Sequence, residues 1–191
     1  MKVLIYLFEG FELLELATFT DVFGWNNILN KDKIYFKTIS HKNVVKALWG
    51  GELIPNISLE VINLNDYDIL IIPGGFGRGG YFKDKSVYFD EILRHFISQK
   101  KIIVAICTAA IKLVENRSLE NIKITTYMLE DMRYFKQLSN YNVTPVYEEI
   151  VMDENIISCS GPGNVKDISL YLVEKFFGKE NSEKISKNMM F

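Results

Sequence analysis

Short apolar runs alternate with segments of helical period along almost the whole chain, and that alternation limits the fold more than any single motif. Strand, helix and strand repeated in order is the pattern of a doubly wound α/β sheet, in which most strands are parallel. Val3 to Phe8 reads as the first strand; Leu13, Leu14, Leu16, Ala17, Val22 and Phe23 then recur at roughly helical spacing to about Asn30. Ile34 to Ile39 is a second strand. Val44 to Trp49 and Glu52 to Ile54, joined by Gly50-Gly51, read as a small hairpin. Asp68 to Ile72 is a buried strand stopped by Pro73-Gly74-Gly75, and a helix follows from Ser86 to Ser98. Ile102 to Ile106 is a further apolar strand, leading into a helix from Thr108 to Glu115. Ile122 to Thr126 predicts a short strand and Met128 to Leu138 a helix. Val146 to Met152 and Ile156 to Cys159 predict a hairpin, and the last two helices run to about Phe177 and from Lys179 to Asn188. At 191 residues, 48% apolar and 24% charged, the chain reads as one soluble domain, 1–191, with ample core.

Composition removes several function classes. A net charge of −2 gives no basic bias, so nucleic acid is not an expected partner. The run Ile102 to Ile111 is about half of what a membrane-spanning helix needs, so no membrane residence is expected. Met1 to Leu7 turns acidic at Glu9 before any small-residue cleavage site, which reads as a strand rather than a signal peptide. Two cysteines far apart, Cys107 and Cys159, show no disulfide-rich pattern and set a reducing, cytoplasmic compartment as the default. Together with His41 and His95 they offer no close-spaced ligand set, so neither a metal nor a cofactor is expected. His41, in the loop after the second strand, and His95, on a helix, read as surface or packing residues.

Three loops lie at the carboxyl ends of proposed parallel strands, the edge where open α/β sheets bind ligands. They are Phe8 to Glu15, Pro73 to Gly80 and the Cys107 turn. Cys107 falls where strand gives way to helix. A turn there lifts the side chain clear of the sheet among free N–H groups, as in a nucleophile elbow, and the helix dipole should lower the thiol pKa. A buried structural cysteine is the alternative this segment leaves open. Gly74 and Gly75 are placed to join the Thr108 amide in holding an oxyanion, although a flexible loop would carry glycines equally well. No Gly-Lys-Ser/Thr follows them, so the stretch is not a Walker A loop. Arg78, among glycines, is a candidate for orienting an anionic small-molecule substrate. Cys159 reads as the end of a buried strand.

Several motifs in this order carry a resemblance. Glu9-Gly10-Phe11-Glu12-Leu13-Leu14-Glu15-Leu16 with Asp21-Val22-Phe23, Ile71-Ile72-Pro73-Gly74-Gly75, Ala105-Ile106-Cys107-Thr108-Ala109-Ala110 and Ser160-Gly161-Pro162-Gly163 resemble the ThiJ/PfpI family, also written DJ-1/PfpI, of the class I glutamine amidotransferase-like superfamily. The resemblance implies a flavodoxin-like three-layer sandwich, a mostly parallel sheet with helices on both faces, and a homodimer. It also implies that Cys107 is the reactive residue and that Glu15, from the first helix, hydrogen-bonds it. Departures narrow the chemistry. Tyr127 stands where many members carry a histidine, and Tyr127, Arg78 and Gly161 remain as candidate substrate-binding residues. Thr108 replaces the histidine that family peptidases place after the cysteine, which argues against peptidase activity. The His-x-Glu pair of the amidotransferases is absent. Thr108 is instead similar to the isonitrile-hydratase branch and to sensor-like domains fused to transcription regulators.

A carboxyl held near a thiol in a partly apolar pocket has a raised pKa and can both give and take a proton. Glu15 suits that role, with Glu12 as its rival. Two functions therefore stand. In one, Cys107 attacks an electrophilic carbon, a carbonyl or isonitrile, in a hydratase- or glyoxalase-like reaction or a deglycation. In the other, the chain is a non-catalytic redox or oxidative-stress sensor that oxidises Cys107 to a sulfinate.

Overall fold

Successive residues of a strand face opposite ways, and the first strand already separates two cores. In the structure, a computed structural model that describes residues 1–129 and 131–191, β1 (Lys2–Tyr6) sends Val3 and Ile5 to one face and Leu4 and Tyr6 to the other. The chain continues through α1 (Leu13–Leu29), β2 (Tyr35–Ile39), the short antiparallel pair β3 (Val45–Lys46) and β4 (Glu52–Leu53), then β5 (Ile69–Ile72), α2 (Val87–Ser98), β6 (Ile102–Ile106) and α3 (Ala109–Glu115). It ends with β7 (Lys123–Ile124), α4 (Arg133–Leu138), β8 (Thr144–Pro145), β9 (Ile150–Asp153), β10 (Ile156–Cys159), α5 (Val165–Phe177) and α6 (Lys179–Met189). The central sheet has the order β2-β1-β5-β6-β10-β9, with every pair parallel except the edge pair β10-β9. This is the predicted α/β three-layer architecture. One core packs Val3, Ile5, Ile71, Val104 and Ile157 against Phe19, Val22 and Phe23 of α1 and Ile168 and Leu172 of α5. The other packs Leu4, Leu70, Ile103 and Ala105 against Ile92, Leu93 and Phe96 of α2 and against α3.

Strands β5 and β6 are apolar at every position because both faces are covered, which is why they read as continuous runs rather than alternations. Three expectations need correction. The stretch 122–126 yields only a two-residue strand, β7, which pairs in parallel with β8 outside the main sheet. The helix expected from Met128 begins at Arg133, because Asp131 and Met132 take left-handed backbone at φ 56° and 60°. Glu130, within that expected helix, lies outside the described residues. Finally, the buried stripe of α1 is Glu15, Leu16, Phe19, Val22, Phe23 and Asn26, whereas Leu13 and Leu14 are exposed. A carboxylate thus occupies the first inward position of a core-facing helix. Among the described residues no helix is long and apolar enough to cross a membrane.

Candidate active site

Cys107 sits one residue past β6, at φ 54°. A non-glycine residue there is strained by about 1–3 kcal/mol, so the surroundings must hold it. They do so from two sides. The Cys107 N–H donates to the Cys159 carbonyl at 2.8 Å, and the Cys107 carbonyl accepts from Thr126 Oγ1 at 2.7 Å. Thr126 itself is fully buried at the end of the β7 segment, a role that a Thr-Thr pair gives no sequence signal for.

Glu15 has no solvent exposure. Its Oε2 accepts from the Gly74 N–H at 2.5 Å, while Oε1 is buried without a hydrogen-bond partner. Burial pushes its pKa up to about 8; the Gly74 N–H and a hydrogen bond from the Cys107 thiol pull the other way, and the Glu12 charge adds to the rise. At neutral pH this carboxyl is a neutral acid beside a thiol. Glu12, its rival, is occupied elsewhere: its Oε2 accepts from the exposed Trp49 indole N–H at 2.9 Å.

The expectation of an acidified thiol is overturned. Cys107 is 1% exposed, and burial drives its pKa well above the ordinary thiol value, helped by the neighbouring Glu15; the Thr108 N–H, bonded to the sulfur, works against this but loses. The helix meant to supply the dipole has only seven residues. A short helix cannot offset the desolvation of a sulfur sealed at a sheet edge.

The glycine amides also differ from expectation. Gly74 N–H is spent on Glu15, and Gly75 N–H donates to Thr108 Oγ1 at 2.9 Å, which in turn donates to the Gly75 carbonyl at 2.5 Å. They are fasteners of the site's own side chains rather than open oxyanion donors. Thr108 contributes through its hydroxyl as well as its N–H. Space explains why glycine is needed at 74: an added Cβ would lie 2.6 Å from the Ile106 carbonyl oxygen and 3.0 Å from Cys107 Cβ. Gly74→Ala should therefore cost roughly 3 kcal/mol and lower the melting midpoint by about 6–12 °C, measured by thermal denaturation; an unchanged midpoint would mean the loop and elbow can separate freely.

Two of the three candidate substrate residues share a cleft. Arg78 and Tyr127 line one open cleft of about 840 Å³, together with Trp49, Phe76, Arg133 and Tyr134. Arg78 is exposed and lies over the Trp49 ring at 4.4 Å. The Tyr127 ring meets Phe76 edge-on at 5.4 Å and Tyr134 at 6.1 Å, whereas Gly161 does not line this cleft. The cleft borders the elbow through chain neighbours, since Phe76 follows Gly75 and Tyr127 follows Thr126. Trp49, Arg133 and Tyr134 had no sequence signal, because their segments meet here only through the fold. The histidines lie elsewhere: His41 bonds Asp84 at 2.9 Å and the Tyr6 hydroxyl at 3.0 Å, and His95 is on α2. Among the described residues, no group of three or more His, Cys, Asp or Glu side chains is placed to hold a metal ion.

Known proteins share both sequence and shape with this chain. Protein DJ-1alpha of Drosophila melanogaster is 29% identical over 191 residues, covering 100% of this chain and 84% of its own length. The crystal structure of Drosophila melanogaster DJ-1beta superposes with a TM-score of 0.82 at 26% identity, covering 99% of this chain and 97% of that one. Glutathione-independent glyoxalase DJR-1.2 of Caenorhabditis elegans is 23% identical over 143 residues, covering 75% of this chain and 73% of its own. The DJ-1/PfpI family model matches residues 1–175. With a strained cysteine after the central strand, a buried glutamate from the first helix and this match over nearly the whole length, the chain belongs to the DJ-1/PfpI family.

Proposed function

We propose that the protein is a small-molecule enzyme that hydrates an electrophilic carbon, with a 2-oxoaldehyde such as methylglyoxal as the favoured substrate class. One observation carries this reading: Glu15 is wholly buried, hung from the Gly74 N–H at 2.5 Å and held protonated beside Cys107. The Cys107 sulfur adds to the aldehyde carbon, and Glu15 relays the thiol proton to the carbonyl oxygen, giving a neutral hemithioacetal. Because that oxygen is protonated as it forms, the engaged glycine amides are not required as an oxyanion hole. Glu15 then moves a proton between the two adjacent carbons, and water releases the 2-hydroxy acid from the thioester. The net reaction is the oxoaldehyde plus water giving the hydroxy acid. Arg78 and Tyr127 receive the substrate at the cleft. The glyoxalase named among the relatives supports this class, and Thr108 after the cysteine keeps an isonitrile as the comparison substrate.

The test is steady-state formation of lactate from methylglyoxal without glutathione, alongside formamide production from an alkyl isonitrile. Lactate supports the proposal. No turnover of either compound, with Cys107 still alkylated by iodoacetamide, overturns it in favour of a redox sensor. One observation favours that second reading: both glycine N–H groups are committed to the protein's own side chains. In either reading the homodimer implied by the family resemblance and the cytoplasmic setting suggested by the two isolated cysteines are part of the proposal, and exposed Leu14, Trp25 and Ile28 on one face of α1 give a dimer an apolar surface.

A further inference from the structure

Cys159 has no part in the chemistry above, yet it is fully buried beside the reactive cysteine. It ends β10 opposite Ile106 of β6, so the next residue, Cys107, is its diagonal neighbour, joined to it by the 2.8 Å backbone hydrogen bond. Parallel strand spacing and a one-residue offset put the two Cα atoms about 6 Å apart, within the span a disulfide bridges. Both side chains lie in the same apolar cluster, on the sheet face covered by α1 and α5. The Cys159 thiol donates to the Gly161 carbonyl, with sulfur and oxygen 3.6 Å apart. Glu15 acts electrostatically on both thiols, and its Oε1 is buried with no hydrogen-bond partner.

We propose that Cys159 is the resolving thiol of Cys107, closing an intramolecular disulfide after a hydroperoxide has oxidised Cys107. The idea rests on Cys107 being the reactive thiol, as above, but not on carbonyl turnover. In the first step the Cys107 sulfur attacks a peroxide oxygen. The O–O bond breaks, the Cys107 thiol proton passes to the departing oxygen, which leaves as water or an alcohol, and Cys107 becomes a sulfenic acid. In the second, the Cys159 sulfur attacks the Cys107 sulfur: the S–O bond breaks, the S–S bond forms, and the Cys159 proton passes through Glu15 to the departing hydroxyl, which leaves as water. Two thiols and one hydroperoxide thus give one disulfide, one alcohol or water, and one further water. Proximity favours this outcome over a sulfinate, because Cys159 already adjoins Cys107, whereas a second peroxide must diffuse in from solvent.

The experiment is titration of the full-length protein with one and then three equivalents of hydrogen peroxide, alkylation of remaining thiols, and mass spectrometry of intact protein and unreduced peptides. Loss of two hydrogens, with a peptide pair joining Cys107 to Cys159 that dithiothreitol separates, is the expected result. In Cys159→Ala, Cys107 should instead be trapped by dimedone and proceed to a sulfinate. Wild-type protein that gains two oxygens at Cys107 while Cys159 stays alkylatable overturns the resolving role and leaves Cys107 reactivity standing. A Cys107 untouched by peroxide overturns both. Should Cys159→Ala fail to fold, the wild-type mass and peptide map decide alone.

Discussion

Glu15→Gln is expected to make the protein more stable above neutral pH and at the same time about 100-fold to 1,000-fold slower with its substrate. The stability part follows from the direction of the pKa shift. The folded value, about 8, lies above the unfolded value of 4.5, so across that window the folded state holds a proton that the unfolded state releases. Stability from this group is greatest below about pH 4.5, falls as pH rises through the window, and levels off above about pH 8. By then the cost of keeping Glu15 buried is roughly 3–5 kcal/mol. Glutamine does not titrate, and its carbonyl can still accept from the Gly74 N–H. The variant should gain about 2 kcal/mol or more at pH 8, about 4–8 °C in melting midpoint, with a flatter pH dependence between 5 and 8. Denaturant titrations of both proteins at pH 5, 7 and 9 measure this directly; parallel curves would mean that Glu15 ionises freely in the folded protein. The activity part follows because the amide cannot pass on a proton, and general acid–base catalysis contributes about 10²–10⁴-fold.

Cys107→Ser should lose turnover by about 10³-fold or more while the protein stays folded. The hydroxyl is of similar size and fits the same pocket, and the backbone hydrogen bonds to Cys159 and Thr126 that hold φ at 54° do not involve the sulfur. The serine oxygen is a poor nucleophile without a base, and its partner here is a carboxyl that is mostly protonated. Retained activity in Cys107→Ser would remove sulfur from the mechanism and point to the aromatic and arginine cleft acting alone. Comparison of kcat/KM for the two proteins, with circular dichroism as the folding control, distinguishes these outcomes.

Much of this site is readable along the chain, for a physical reason. A buried parallel strand has to be apolar throughout, so Ile69–Ile72 and Ile102–Ile106 announce themselves, and the residues that follow such strands stand at the ligand-binding edge. Glu15 is visible as a carboxylate in an apolar helix, although its exposed flank Leu14 is a misleading guide to which way it points. The short β7–β8 pair is not visible. Two-residue strands carry no periodicity, and the left-handed turn at Asp131 and Met132 has no glycine to mark it.

Sequence by itself determined the alternation of the main-sheet strands with helices and the three loops at the sheet's edge, and singled out Cys107 and Glu15 through the family resemblance. Tertiary structure alone decided what those groups can do. The Gly74 N–H meets Glu15 across 59 residues of chain and the Gly75 N–H meets Thr108 across 33, so donors that look free in the sequence are already used in the fold. The same close packing leaves Cys107 only 1% exposed and Glu15 with no exposure. A pKa depends on how much solvent is lost and on which dipoles replace it, and only the folded arrangement of distant segments fixes both.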